Sequence, residues 1–192
     1  MLTLYFAPGS SSMAVQIALH EIGVPFEARP MSFKANDLRS PEYLALNPEG
    51  KVPALLVDGR PLFEVLAILF YLAKRFPDAE LLPRENIEAE AQALSWMSFA
   101  AATLHPARQR GLDHAIEVWQ IADRRLGSGW ALENYSIADI HLFRLYWRLT
   151  NSLKPAAGTF PHLEAHYARM MARPAVRKTI EIETALGYEL PA

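Results

Sequence analysis

The chain has 192 residues, enough for one large domain or two small ones, and its 51% hydrophobic content is ample for a packed core. The 19 basic and 21 acidic residues leave a net charge of −2, which argues against a nucleic-acid-binding protein. The lack of cysteine excludes disulfides, thiolate metal sites and a protein thiol nucleophile, so any thiol chemistry must use the thiol of a ligand.

The first residues do not have the pattern of a secretory signal. Residues 1–9 lack a positive n-region, and their apolar run is broken early by Pro8-Gly9. No stretch reaches the roughly 18 apolar residues that a membrane span needs. We therefore expect a cytoplasmic protein that does not span a membrane.

The first elements predict a strand, a helix and a second strand. Residues 2–6 are typical of a buried strand, and Pro8-Gly9 turns the chain into a helix capped within residues 10–12. That helix stops at Gly23, and residues 26–30 form the second strand. This order favours a parallel pair joined by a right-handed crossover.

A short helix near residues 40–45 leads to a loop and a hairpin. Asn47-Pro48 marks the loop, residues 54–57 form a short apolar strand, and Asp58-Gly59 is a strong hairpin signal. Glu64 then opens an apolar helix. The order βαβ, helix, ββα is a thioredoxin-like arrangement, with the hairpin strands antiparallel.

The helix after Glu64 contains nine consecutive apolar residues, 65–73, so apolar side chains lie on all of its sides and one face of a sheet cannot cover them. Residues 77–85 are the best linker, and after them strand signals vanish. Helices are then predicted at 89–104, 114–126, 136–149, from Phe160 and after the break at Pro174. Ser136 and Asp139 are expected to form a capping box at the start of one of them. The sequence therefore predicts an α/β domain at residues 1–76 and an all-α domain at residues 86–192.

One stretch resembles the glutathione site of the glutathione S-transferases. Residues 50–55 read Gly-Lys-Val-Pro-Ala-Leu, and Glu64 follows at the head of a helix. In that family the Pro is cis, and the residue before it pairs through its backbone with the cysteinyl group of glutathione. The resemblance, which covers nearly the whole chain, implies these roles for Pro53 and Val52. It also implies glutathione as co-substrate, with no metal.

The resemblance also places the two ends of glutathione. Glu64 would accept from the γ-glutamyl amine, while amides of the first helical turn would hold the neighbouring carboxylate. Val65 departs from the family pattern, because a Ser usually stands there and its hydroxyl helps to bind that carboxylate. Lys34 resembles a residue that reaches the glycyl carboxylate, and Lys51 is expected to line the site beside Val52.

The start of the chain resembles the bacterial beta class of the family. In that class a Cys usually stands in the place of Ser11, so Ser11 would supply the hydroxyl that hydrogen-bonds the ligand thiolate. Ser12 and Ser10 stay open as alternatives, since a serine at a helix start is also a common N-cap. Tyr5 lies near this point, although a Tyr inside a strand is more often part of the core.

A second part of the resemblance lies in the helical domain. His105, next to Leu104, stands where the beta class has an active-site His, whereas by itself it would be a cation at the end of the long helix. Ser98 matches a position that reaches the glutathione of the partner subunit. Met97, Ala101 and Leu104 share one helical face, with Arg108 beyond, and this face is either plain core or the lining of the electrophile pocket.

Three functions follow from these residues. The first is a glutathione transferase that activates the thiolate for attack on small hydrophobic electrophiles. The second is a glutathione-dependent isomerase of the zeta class, which carries Arg where Ala14 and Gln16 stand here. The third is a non-catalytic binding or regulatory protein on the same fold, which Val65 favours. The apolar helix after Glu64 predicts a homodimer.

Overall fold

The computed structural model describes residues 1–84 and 86–189. Glu85, the last residue of the predicted linker, and residues 190–192, the end of the predicted helical domain, lie outside the described residues. By their internal contacts the described residues form two compact units. The first comprises residues 1–72 and 175–189, and the second comprises residues 73–84 and 86–174. The domain boundaries stay a prediction.

The first unit contains a four-stranded mixed sheet. Its strands are β1 (Leu2–Phe6), β2 (Glu27–Pro30), β3 (Ala54–Val57) and β4 (Arg60–Phe63), in the order β2-β1-β3-β4. Strand β1 pairs parallel with β2, and β3 pairs antiparallel with both β1 and β4. The predicted parallel pair and hairpin are confirmed.

Three helices follow the strands as the sequence predicts. They are α1 (Ser12–Ile22), α2 (Pro41–Leu46) and α3 (Val65–Arg75). Helix α1 ends at Gly23, whose φ of 76° lets its amide bond the carbonyl of Leu19. The hairpin turn has positive φ at both Asp58 and Gly59, as a two-residue turn between twisted strands requires. This α/β arrangement confirms the predicted thioredoxin-like fold.

The second unit is mostly helical. Its helices are α4 (Ile87–Phe99), α5 (His105–Ala107), α6 (Leu112–Leu126), α7 (Ile137–Ser152) and α8 (Pro161–Met171). Helix α9 (Pro174–Leu186) follows, and from Ala175 it belongs to the first unit. The predicted capping box is present at the start of α7, where Asp139 accepts from the amide of Ser136 at 2.9 Å. Helix α7 is buried over most of its length and forms the core of this unit.

The long helix predicted at residues 89–104 differs from the structure. After α4 the chain makes a π-helical turn over Ala100–Leu104 and continues into α5. The physical reason lies at Pro106, which has no amide to bond the carbonyl of Ala102. His105 is therefore inside a continuing helix rather than at its end. None of the described helices is long and apolar enough to cross a membrane.

Candidate active site

Three serines at the turn between β1 and α1 differ in what their hydroxyls contact. Ser12 is fully buried, and its Oγ donates to the carbonyl of Ala7 at 3.2 Å and accepts from the amide of Ala7 at 3.1 Å. The Oγ of Ser10 lies 2.6 Å from that of Ser12. Ser11 is the half-buried N-cap residue, and among the described residues its side chain makes no capping hydrogen bond. The hydroxyl of Ser11 is therefore the most available of the three.

A carboxylate from the last helix holds this turn. The amide of Gly9 donates to Oε2 of Glu183 at 2.7 Å, and the Glu183 side chain is fully buried. The two residues are 174 positions apart in the chain. Sequence reasoning missed Glu183, because an acid in an amphipathic helix is usually assigned to the solvent-facing side.

The side chain of Tyr5 contacts other residues of the first unit. Its hydroxyl accepts from Nη1 of Arg29 at 2.8 Å, and its ring lies 5.5 Å from the ring of Tyr43. Tyr5 also packs on a buried cluster formed by Leu38, Tyr43 and Ala54. Tyr5 is therefore a half-buried residue packed against this cluster.

The bond between Val52 and Pro53 is cis, as the family resemblance implied. Two side chains hold the backbone of Lys51, the residue before Val52. The carbonyl oxygen of Lys51 accepts from the Tyr43 hydroxyl at 2.6 Å and from Nδ2 of Asn47 at 2.8 Å. Burial raises the pKa of Tyr43 to about 12, so this donor keeps its proton. Among the described residues, no hydrogen bond uses the amide or carbonyl of Val52. An extended peptide therefore has a backbone edge to pair with.

Gly50 lets the same loop approach the chain before α2. Its φ is 59°, and a Cβ placed there would lie 2.7 Å from the carbonyl oxygen of Leu38 and 2.7 Å from Nη1 of Arg39. Only glycine fits this combination of conformation and contact. The sequence identified Gly50 only as a loop residue and did not indicate which residues lie against it.

The sequence predicted Glu64 in the first turn of a helix, but in the structure Glu64 stands one position before that helix begins. It is an exposed residue with a φ of 65°, and its carbonyl accepts from the amide of Ile68 at 2.9 Å. It is therefore the N-cap of α3 and not a residue of the first turn. Val65, half-buried, is the first helical residue, and the amides of residues 65–67 lack partners within the helix.

Lys51 contributes to the electrostatics of this region. Its exposed amine contacts Oε2 of Glu49 at 2.7 Å, and this hydrogen bond is the main cause that raises the pKa of Lys51. The charge of Glu64 acts in the same direction more weakly. The charges of Lys51 and Glu64 therefore attract each other beside the cis bond.

Lys34 is exposed, and its backbone is held by the C-terminal segment. The amide of Lys34 donates to Oε2 of Glu189 at 3.0 Å, and Oγ of Ser32 donates to the same oxygen at 2.9 Å. These two bonds, the Lys34 amide first, lower the pKa of Glu189. Sequence reasoning did not identify Glu189, because its contact joins residues 155 positions apart.

His105 in the second unit is not a charged helix terminus. Burial, followed by the charges of Arg144, Arg108 and Arg148, lowers its pKa to about 4. The imidazole is therefore neutral at pH 7. His105 lines a small pocket together with Leu104 and Arg108, which belong to the face that the sequence left open as either plain core or a lining for the electrophile.

The predicted apolar face on the long helix is not continuous. Met97 and Leu104 are buried, but Ala101 is exposed, because the π-helical turn changes the helical spacing between them. Ser98 is exposed on α4.

The predicted site residues thus fall into two sets. The first unit holds the serine turn, the cis-proline loop, the start of α3 and Lys34, while the second unit holds Ser98 and His105. No group of three or more His, Cys, Asp or Glu within residues 1–84 and 86–189 could hold a metal ion.

Comparison with known proteins shows which family the chain resembles. Residues 1–74 match the N-terminal domain of glutathione S-transferase, and residues 114–174 match its C-terminal domain. The glutathione S-transferase GstA of Escherichia coli O157:H7 is 29% identical over 94% of this chain and 98% of its own length. A maleylacetoacetate isomerase of Rhizobium meliloti is 38% identical, but over only 54% of this chain and 48% of its own.

Solved structures agree with the sequence matches. A glutathione transferase homologue from sulfitobacter, determined with bound glutathione, superposes with a TM-score of 0.83. It is 30% identical, and the match covers 95% of this chain and 98% of that one. The chain belongs to the glutathione S-transferase family.

Proposed function

We propose that this glutathione S-transferase uses Ser11 to stabilise the thiolate of glutathione for attack on a small electrophile. The observation that carries this assignment is the difference among the three serines. Ser12 uses its hydroxyl on Ala7, and Ser10 lies against Ser12, whereas the Ser11 side chain makes no capping bond among the described residues. A hydroxyl at a helix start can donate to a sulfur anion, which the helix dipole also favours.

The energy that this role requires is modest. A thiol of pKa about 8.5 is only about 3% ionised at pH 7. Lowering that pKa by about two units gives roughly 75% thiolate and needs about 2.7 kcal/mol. A charge-accepting hydrogen bond together with the helix N-terminus is of this size. Proximity within the site supplies the rest of the catalysis.

Residues of the first unit, mainly through their backbone groups, would make the remaining contacts with glutathione. Val52 offers an unbonded backbone edge beside the cis bond to the cysteinyl group. The amides at the start of α3 would hold the γ-glutamyl carboxylate, and Glu64 would accept from the amine. The exposed Lys34 and Lys51 would meet the glycyl end.

We further propose a homodimer in the cytoplasm. Helix α3 keeps five apolar residues only half-buried in one chain: Val65, Leu66, Ala67, Phe70 and Tyr71. A second subunit would cover such a face. Sedimentation at micromolar concentration tests the dimer, because a species of about 22 kDa would contradict it. Ser98, exposed on α4, is the residue proposed to reach the partner's glutathione.

A non-catalytic binding protein is the second candidate, and Val65 is the observation that favours it. Val65 keeps the helix-start amide but offers no hydroxyl to the carboxylate. The isomerase is less favoured, because Ala14 and Gln16 stand where the zeta class carries Arg, and both are buried.

Calorimetric titration with glutathione, followed by a turnover assay with an aryl halide, separates these candidates. Micromolar binding with turnover supports the transferase. Binding in the millimolar range or weaker, without turnover, supports the binding protein instead. Turnover of a maleyl substrate but not of the aryl halide would support the isomerase.

A further inference from the structure

The chain turns sharply after α9 and brings an acidic residue to a loop of the first unit. Gly187 has a φ of 86°, which glycine adopts without strain, and its amide donates to carbonyls of the last turn of α9. The hydroxyls of Thr184 and Tyr188 lie 3.2 Å apart across this turn. The next residue, Glu189, then contacts residues 32–34.

Glu189 bonds the loop that follows β2, which we call the Lys34 loop (residues 32–37). Its Oε2 accepts from the amide of Lys34 at 3.0 Å and from Oγ of Ser32 at 2.9 Å. These two bonds, the Lys34 amide first, lower the pKa of Glu189, and the backbone of Phe33 adds a weaker contribution in the same direction. The carboxylate is therefore charged at neutral pH, and three successive residues stabilise that charge.

Ser32 connects this carboxylate to the rest of the Lys34 loop. Its Oγ accepts from the amide of Ala35 at 2.9 Å, and its own amide donates to Oδ2 of Asp37 at 2.8 Å. Residues 31–36 are neither helix nor strand, so side-chain bonds of this kind determine where the backbone of the loop lies. Loss of the Glu189 carboxylate would remove the acceptor of one loop amide and free the hydroxyl that bonds another.

Glu189 holds the backbone of Lys34 and not its amine. The bond comes from the Lys34 amide, and attraction between the two side-chain charges is the weakest of the causes acting on the pKa of Glu189. Lys34 is exposed, so its long side chain keeps much rotamer freedom. The direction of that side chain therefore depends first on the backbone that Glu189 fixes. A ligand that binds to an already ordered loop loses less free energy to ordering it.

We propose that Glu189 is a positioning residue for the glycyl end of glutathione, because it holds the loop from which Lys34 meets the glycyl carboxylate. The inference rests on the proposed function for this role of Lys34. Glu189 bonds the Lys34 loop and not the serine turn, so it should raise the affinity for glutathione without acting on the thiol.

Two ligands that differ only at the glycyl end measure this effect. Glutathione carries the glycyl carboxylate, and its glycyl ethyl ester keeps the rest of the molecule without that charge. By calorimetry on the full chain, Glu189→Ala should weaken glutathione by about 3- to 10-fold, the size expected when a long side chain must be ordered on binding. The same variant should weaken the ester by less than about twofold. Equal weakening of both ligands would overturn the proposal.

Kinetics and thermal melts separate positioning from general damage. In turnover of an aryl halide, Glu189→Ala should raise KM for glutathione and leave kcat unchanged, as expected for a contact made equally in the ground state and the transition state. The thiol pKa of the bound complex should stay at the wild-type value. The melting temperature should change by less than about 2 °C, because only a half-buried contact is lost. A lower kcat with an unchanged KM would overturn the proposal.

Three further variants show whether the bond to the loop is the cause. Glu189→Gln keeps an acceptor oxygen for the Lys34 amide and should keep most of the glutathione affinity. Glu181→Ala removes an exposed acid of α9 and should change the affinity for neither ligand. Gly187→Ala disfavours the positive φ that leads the chain to Glu189, and it should weaken glutathione as Glu189→Ala does. Equal losses in Glu189→Gln and Glu189→Ala would overturn the positioning role.

A double-mutant cycle tests whether the effect passes through Lys34. Lys34→Met alone should weaken glutathione and abolish its advantage over the ester. Adding Glu189→Ala to Lys34→Met should then weaken glutathione by less than about twofold more. A further loss as large as in the wild-type background would overturn the proposal. Tighter binding of glutathione by Glu189→Ala would also overturn it, since Glu189 would then occupy the place of the glycyl carboxylate.

The same measurements distinguish this inference from the proposed function. Equal glutathione affinity of the wild type and Glu189→Ala, with turnover by both, overturns the positioning role alone. A loss of affinity confined to glutathione, without turnover by the wild type, supports the positioning role and overturns the transferase. A wild type that does not bind glutathione overturns both.

Discussion

The amide of Gly9 donates to a carboxylate oxygen of Glu183 at 2.7 Å, so a residue of the last helix fixes the turn that carries Ser11. Both residues are buried. Removing the acceptor of a buried amide leaves that amide unsatisfied, which costs more than the hydrogen bond itself contributes. The geometry of the serine turn therefore depends on a residue near the other end of the chain.

We expect Glu183→Ala to lower stability by about 2–3 kcal/mol, because the Gly9 amide loses its acceptor inside the core. For a protein of this size the melting temperature should fall by about 4–12 °C. Glu183→Gln keeps an acceptor oxygen of the same reach and should lose less. Thermal melts of the two variants check this, and equal losses would show that the hydrogen bond to Gly9 is not the cause.

Val65→Ser should move glutathione affinity and fold stability in opposite directions. The new hydroxyl can bond the γ-glutamyl carboxylate, which is typically worth about 1.5–3 kcal/mol, or roughly 10- to 100-fold in affinity. The loss of buried methyl groups should cost at most about 1–2 kcal/mol of stability. Calorimetry and thermal melts measure the two effects.

Val65→Ala is the control for this change, since it loses the same methyl groups without gaining a donor. It should be destabilised to a similar degree with no gain in affinity. A folded Val65→Ser protein that binds glutathione no better than the wild type would mean that the carboxylate is not held at the start of α3.

Burial and the charges of Arg144 and His105 lower the pKa of His141 to about 3. Between that value and the ordinary pKa of about 6.5, the unfolded chain binds more protons than the folded one, so stability is lost as the pH falls. One such histidine should remove about 2 kcal/mol between pH 7 and pH 5. His20 and His105, both with pKa lowered to about 4, act in the same direction.

Comparing His141→Gln with the wild type isolates this contribution. The variant should lose less stability than the wild type between pH 7 and pH 5, as measured by urea unfolding at each pH. His162→Gln, at the half-buried start of α8, provides a matched substitution elsewhere in the unit. If the two variants show the same pH dependence, the buried His141 is not responsible.

Local signals in the sequence were sufficient for much of the fold. Gly23 after α1, Asp58-Gly59 in the hairpin and the capping box at Ser136 each act within a few residues, and the structure has all three. The resemblance at residues 50–55 also implied the cis bond correctly. These features depend on backbone preferences that neighbouring residues determine.

Contacts between distant residues were not predictable in the same way. Glu183 and Glu189 contact residues more than 150 positions earlier in the chain, and nothing in the sequence distinguishes either of them from an ordinary surface acid. The π-helical turn before His105 was missed because a helical period of seven residues between Met97 and Leu104 looks regular. Arg108 is likewise distant in the sequence from Arg144 and Arg148 of α7, and only packing brings it to the pocket lining that they share with His105.

The proposed role of Ser11, which is to stabilise the glutathione thiolate, can be measured through the ultraviolet absorbance of that thiolate in the bound complex. Titration of the complex with pH should give a thiol pKa well below 8.5 in the wild type, raised by about one to two units in Ser11→Ala, with turnover reduced by about 10- to 100-fold. Glutathione affinity should change little, since the lost bond acts mainly on the charged sulfur. Ser10→Ala should leave the thiol pKa unchanged. An unchanged thiol pKa in Ser11→Ala, together with a raised thiol pKa in a folded Ser12→Ala protein, would show that Ser12 and not Ser11 holds the thiolate.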